Sequence, residues 1–356
     1  MNRSLAATIA SIPPADAEAA AEVARRLDAK TKPPGSLGRL ESLACRLGGI
    51  RGRVPDDGLK PAIVVAAADH GVWDEGVSPY PRSVTAQMLA NFADGGAAVS
   101  VLARAAGARL VVADAGVLDA PSVPGIRSIV VDGQRGTRNV VTGPAMPEHV
   151  AIGLIEAGIS LAVELAEDGI DLIGVGDMGI ANTTAAAALC AALLPATPAS
   201  VCGPGTGLDD AGVARKAEVV DAALAANGLR PDLGTVDPLR ALHSVSGLEI
   251  AALAGVILGA ASRRVPVLLD GFVTGAAALV AVGLAPAAGD ALIAATRSPE
   301  PGHPLVLERL DLDPLLDLEL RLGEGSAAAL AIPLVRAAGT IVSRMATFES
   351  AGVSRA

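Results

Sequence analysis

Glu324 stands between Gly323 and Gly325 in the run Arg321-Leu322-Gly323-Glu324-Gly325-Ser326. Flanking glycines let the backbone turn tightly and approach a ligand closely. A carboxylate on such a turn projects from the mouth of an element, within reach of a ligand. The alternative is a solvated turn glutamate behind a C-capping glycine. Ahead of it lies an apolar run, Leu315 to Leu322, broken by Asp317, Glu319 and Arg321. Behind it a small-residue helix starts, with Ser326 expected as its N-cap.

A second chemical stretch runs from Asp171 to Thr184. A strand ends in a glycine turn, and a helix follows with Asn182 expected as its cap. Asn182, Thr183 and Thr184 would place amide and hydroxyl groups at a helix N-terminus, where an anion is welcome. Gly174, Gly176 and Gly179 spell GxGxxG, the dinucleotide fingerprint. No acidic residue lies about 20 positions on for a ribose contact, so a phosphate-binding helix start fits better than a dinucleotide site. A third stretch, Gly203-Pro204-Gly205-Thr206-Gly207, is another backbone nest, followed by Arg215 and Lys216 on a helix beginning near Asp209. A solvated helix face is the ordinary reading of two such cations. Asp69 and His70 close a buried strand, Ala62 to Ala67, and are either site residues or a turn cap and a satisfied core histidine.

Composition excludes several classes. The 356 residues carry a formal charge of −10 and only 1% aromatics, with no basic run. Base-stacking and nucleic-acid surfaces are therefore not expected. Three widely spaced cysteines and four histidines form neither CxxC nor HxxxH, so no disulfide frame, zinc site or other cofactor site is implied. The N-terminus lacks a signal pattern, and stretches such as Ile250 to Ala261 fall short of the ~18 apolar residues of a spanning helix. The expectation is a cytoplasmic, soluble protein acting on small molecules.

Elements must position these groups. Helices are expected over 16–29, 36–47 (Leu37, Leu40, Leu43 and Leu47 on one face), 83–92, from Pro147 to Glu167, to Leu194, over 238–261 with a possible break at Gly247, over 275–284, and from Ser326 to about Phe348. Strands are expected at 62–67, 110–113, 128–131, 171–175, 265–270 and 292–295. Alternation of strand and helix predicts an α/β fold, with a mostly parallel sheet covered by helices on both faces. The loops at Asp69, Gly176, Gly203, Asp270 and Arg297 would gather on one sheet edge, and Glu324 would join them from outside.

Taken together, KPPGSLGRLE (32–41), ADHGV (68–72), VTAQM (84–88), GDMGIANTT (176–184), GTGLDDAGVARK (205–216), PVLLDGF (266–272), SPEPGH (298–303) and RLGEGS (321–326) stand in one order along the chain. In these segments the chain closely resembles the nicotinate-nucleotide:dimethylbenzimidazole phosphoribosyltransferases, which make the lower-ligand nucleotide of cobalamin. The resemblance implies a Rossmann-like sheet over 56–324 and a small helical subdomain from residues 1–55 and 325–356. It also implies a homodimer, with phosphoribose passing from nicotinate mononucleotide to 5,6-dimethylbenzimidazole. It puts the general base on Glu324, a second acidic residue on Asp177, and a phosphate-facing lysine on Lys216. Tyr80, Val84, Gln87 and Met88 fall where the family contacts the base. Gly176, Asn182, Thr183, Gly205, Thr206, Gly207, Ser298, Leu322 and Gly323 fall at its other substrate contacts. Asp177 stands where many relatives have Glu, and Ala181 and Ala327 stand where Gly is common. The acceptor is left open between this base, another benzimidazole, a purine and a phenol. Two rivals are a nicotinamide-dinucleotide oxidoreductase and a non-catalytic nucleotide-binding protein.

Overall fold

The computed structural model describes residues 4–229 and 236–354. The outermost residues of the expected helical subdomain, 1–3 and 355–356, lie outside that range.

Among the described residues, six strands form one sheet: β1 (Pro61–Ala68), β2 (Arg109–Gly116), β3 (Ile126–Ser128), β4 (Leu172–Met178), β5 (Val267–Leu269) and β6 (Leu292–Ala294). All pairs are parallel, in the order β3-β2-β1-β4-β5-β6. The chain reverses direction across the sheet between β1 and β4. In such doubly wound sheets the crevice outside the strand carboxyl ends, at that reversal, is where ligands bind. β1 and β4 are buried at every residue, as strands covered on both faces must be.

The helices pack through small residues, which is how a chain with so few aromatics fills its core. Helix Glu148–Glu167 lies against Leu248–Ser262. A β-carbon at Gly158 would collide with the Ala252 carbonyl, and one at Gly255 with the Ile155 carbonyl. Both Glu148–Glu167 and Ser326–Arg344 are long and apolar enough to cross a membrane, but more than half of each apolar window is buried inside the fold.

Several expected boundaries shift. The helix expected from Ser36 starts at Arg39, leaving Leu37 exposed. The expected strand 128–131 pairs earlier, at Ile126–Ser128. The pattern over 238–261 divides into Pro238–Val245 and Leu248–Ser262, with Ser246 and Gly247 extended between them. The last long helix ends at Arg344, because Met345 is extended and Thr347 caps a separate short turn. Neither Ser326 nor Asn182 is an N-cap. Gly325 and Ala181 cap those helices in left-handed conformations, φ 84° and 79°.

The apolar run before Glu324 forms no helix. Leu315 and Leu316 donate to the Ala294 and Ala295 carbonyls, and Arg297 donates back to Leu316. The segment thus lies along the edge beyond β6, then crosses toward β4 with Leu318 and Leu322 more than half exposed.

Candidate active site

The turn carrying Glu324 is built from three successive left-handed residues: Gly323 (φ 79°), Glu324 (65°) and Gly325 (84°). For a glutamate this conformation is sparsely populated, and such strain tends to persist where surrounding structure demands it. Here the demand comes from β4. A β-carbon at Gly176 would overlap the backbone of Glu324 and Gly325, and one at Gly174 would press on Ala328. The glycines of the apparent dinucleotide fingerprint therefore serve backbone packing inside a strand. Gly179 is likewise jammed against the Ala68 carbonyl and the His70 ring.

Glu324 is not a solvated turn residue. It is 6% exposed, and its Oε2 has no hydrogen-bond partner among the described residues. Burial first, and the Asp270 charge second, push its pKa up to about 7. Asp270 follows directly on β5 and points at the start of helix Ser326–Arg344, accepting from the amides of Ala327 (2.7 Å) and Ala328 (3.1 Å). These amides oppose burial, which still raises its pKa to about 7. Asp177, near the end of β4, accepts from Asn182 Nδ2 at 2.8 Å. Burial raises its pKa well above the carboxylate range, with Asp270 and Glu249 adding to the effect, Asn182 opposing it and Glu324 adding further. Asp177 also sits beside Gly323, where a β-carbon would lie 3.4 Å from Oδ2. Three buried carboxylates thus share one end of the site.

The other end is polar and cationic. Lys216 is fully buried, and its Nζ donates to Thr183 Oγ1 (2.9 Å) and the Gly203 carbonyl (3.1 Å). Those bonds use two of the three donors of an ammonium. Gly205, at φ 53°, donates its amide to Glu300 Oε1 at 2.8 Å. Glu300 is held in turn by Ser298, whose Oγ accepts the Glu300 amide (3.3 Å) and whose own amide donates to His303 Nδ1 (2.9 Å). Burial, then Arg297, lowers the His303 pKa to about 4, so the ring is neutral and free to accept.

One cavity joins the two ends. Among the expected residues, Asp177, Asn182, Thr183, Gly205, Thr206, Ser298, Leu322 and Gly323 line it. Glu324 does not, although Gly323 and Ser326 on either side of it do. Gly176 lies behind the Glu324 turn, and Lys216 behind Thr183 and Gly205. Gly207 is also outside the lining.

Tyr80, Val84, Gln87 and Met88 do not line the cavity either. Their segment reaches its rim, since Thr85 Oγ1 accepts the Ile180 amide and Ser78 lies 3.3 Å from Thr206. Asp69 and His70 are core residues. Asp69 accepts the Leu118 amide, and His70 pairs with the fully buried Glu249 at 2.9 Å. Arg297 is about half exposed and faces Asp317. Lys216 is not on a solvated helix face, whereas its neighbour Arg215 reaches out to the Glu75 carbonyl.

Asp270, Phe272 and Glu300 line the cavity without having stood among the candidates. Asp270 had a signal: it is an acid at the carboxyl end of a strand. Glu300 had none beyond its motif, because its link to Gly205 spans 95 residues.

These features define a class: an α/β enzyme whose cavity joins an anion nest to a carboxylate cluster at the reversal of a parallel sheet. The family model described as phosphoribosyltransferase matches residues 12–353. The chain belongs to that family, DBI_PRT. It is 52% identical over 351 residues to the nicotinate-nucleotide–dimethylbenzimidazole phosphoribosyltransferase of Chloroflexus aggregans, covering 98% of each chain. The Geobacter metallireducens protein of the same name is 47% identical over 352 residues, covering 99% of this chain and 98% of that one. The crystal structure of the Thermus thermophilus enzyme superposes with a TM-score of 0.88 at 46% identity, over 96% of this chain and all of that one.

Proposed function

We propose that this protein transfers phosphoribose from nicotinate mononucleotide to 5,6-dimethylbenzimidazole, yielding α-ribazole 5′-phosphate and nicotinate. One observation carries the reading: a single cavity runs from a nest backed by the buried Lys216 to the buried acids Asp177 and Asp270, with Glu324 on the turn just behind its wall and the pKa values of Asp270 and Glu324 near neutrality. The nest and Lys216 suit the 5′-phosphate. The carboxylate end suits the reacting centre.

Glu324 acts as general base on the attacking benzimidazole, which must lose its ring N–H proton. A pKa near the working pH is what such a base needs. Nicotinate leaves readily, because its ring nitrogen is cationic in the nucleotide. Positive charge then grows on the ribose, and Asp177, held by Asn182, faces that charge. Attack from the face opposite the leaving group inverts the anomeric centre from β to α.

Tyr80, Val84, Gln87 and Met88 form the rim that meets the base. Gly176 seats the Glu324 turn from β4, and Gly207 shapes its loop, behind the contacts that Leu322, Gly323, Ser298 and Thr206 make. The working form is a cytoplasmic homodimer; exposed Leu318, Leu322 and Tyr80 near the cavity rim support a partner surface there. A helical subdomain from the two chain ends is supported by the Lys30 Nζ bond to the Met345 carbonyl and by backbone bonds Thr31–Ala346 and Ala29–Phe348.

The test mixes protein, nicotinate mononucleotide and one acceptor at a time, following nicotinate release and product mass. Turnover with adenine or a phenol, but not the benzimidazole, keeps the chemistry and changes the acceptor. Tight nucleotide binding without turnover on any acceptor leaves a binding protein instead.

A further inference from the structure

We infer that Glu300 is a positioning residue for the anion end of the cavity: it fixes the 203–207 loop through Gly205 and supplies the counter-charge for the buried ammonium of Lys216. The assignment of this end to phosphate rests on the proposed function above; the Glu300–Lys216 relationship does not.

Three observations carry it. First, Glu300 and Lys216 bracket one loop. Glu300 Oε1 accepts the Gly205 amide at 2.8 Å, and Lys216 Nζ donates to the Gly203 carbonyl at 3.1 Å. Second, Glu300 is only 5% exposed, lines the cavity, and leaves its Oε2 buried without a hydrogen-bond partner among the described residues. A β-carbon on Gly203 would strike that oxygen, so the carboxylate is wedged against the same loop that Lys216 holds. A buried, half-satisfied carboxylate is expensive unless a charge compensates it. Third, among the described residues the surroundings of Lys216 offer no other working anion. Thr183 and the Gly203 carbonyl are neutral, and Arg215 on the same helix turns away toward Glu75. Burial lowers the Lys216 pKa, and among the described residues Glu300 and then Cys202 oppose it. Burial itself holds the Cys202 thiol up at about 11, so it is uncharged at neutral pH. That leaves Glu300.

Glu300 therefore faces a site for an anion and yet helps it. It repels the ligand, yet its charge opposes the burial that lowers the Lys216 pKa, so removing it lets that ammonium lose its proton at lower pH. The effect of Glu300 on anion binding therefore depends on pH, which a merely structural role would not produce.

The experiment titrates the labelled Lys216 amine by NMR in the wild type, Glu300→Gln and Cys202→Ser. Glutamine keeps an acceptor for Gly205 and removes only the charge. The Lys216 midpoint should fall by about one pH unit or more in Glu300→Gln and stay put in Cys202→Ser. An unmoved midpoint in Glu300→Gln, or an equal fall in Cys202→Ser, overturns the inference. Should Glu300→Gln not fold, Glu300→Asp draws the carboxylate back and should lower the midpoint less; no change there overturns it equally. Calorimetry with nicotinate mononucleotide then separates the two levels. Affinity should decline with rising pH earlier in Glu300→Gln than in the wild type. If the wild type binds no nucleotide while the Lys216 midpoint still shifts, the phosphate reading fails and the Glu300–Lys216 relationship stands.

Discussion

Gly176 and Glu324 touch backbone to backbone, 148 residues apart in sequence, because β4 offers no side chain at the point where the glutamate turn crosses it. The strand thereby sets the height of the candidate base above the sheet. Gly176→Ala should lift the 323–325 turn without exposing the core. A displacement of about 1 Å at a reacting group can cost 10²-fold. We expect nicotinate release to fall by about that factor while circular dichroism stays that of the wild type.

Glu324→Gln should separate function from stability. Turnover should drop by roughly the 10²–10⁴-fold typical of a lost general base. The folded pKa of Glu324 is raised, to about 7 against 4.5 for the free group. The stabilisation this confers is present below about pH 4.5 and is lost as pH rises through 7. Removing the carboxyl should thus leave the melting temperature nearly unchanged at pH 4.5 to 5 relative to the wild type. At pH 8 the variant should be the more stable, by on the order of 2–3 kcal/mol at most. Equal melting differences at both pH values would mean that Glu324 is not held in this apolar setting.

The pH dependence of kcat/KM should show an acidic limb near 7, activity falling below it as Glu324 gains a proton. Asp270 is the charge that adds to burial in raising Glu324. Asp270→Asn should therefore move the limb to lower pH, provided the asparagine carbonyl still receives the Ala327 and Ala328 amides. A limb that stays in place would disconnect the two carboxyls.

Asp177→Asn replaces the acid beside the developing cation with an amide and leaves Asn182 facing that amide. A loss of roughly 10- to 10³-fold in kcat, with the KM for nicotinate mononucleotide little changed, is the expected pattern for a group felt mainly in the transition state. A change confined to KM would make Asp177 a ground-state contact.

Much of this architecture is legible in the chain. β1 announces itself as a continuous apolar run, and the glycine-rich loop at 203 and the acid at 270 do follow buried segments onto one side of the sheet. Local rules fail where a distant segment decides. Gly174 and Gly176 look like a nucleotide loop but answer to Ala328 and Glu324. Lys216 looks like one cation on a solvated face, yet Thr183 and Gly203 close over it. Asn182 and Ser326 look like helix caps, but Ala181 and Gly325 take the left-handed position and release those side chains for Asp177 and the Gly323 carbonyl. The burial of Glu324 could not be read from a turn motif, because it depends on the edge segment 315–322 crossing the sheet.

The most direct measurement compares the wild type and Glu324→Gln in a single turnover with nicotinate mononucleotide and 5,6-dimethylbenzimidazole, at pH 8 and at pH 6. The wild type should form a product of the mass of α-ribazole 5′-phosphate with one nicotinate released, faster at pH 8. The variant should bind the nucleotide but form product at least ~10²-fold more slowly, with little pH dependence. Product formed at the wild-type rate by Glu324→Gln would contradict the role of Glu324, and no such product from the wild type would contradict the reaction itself.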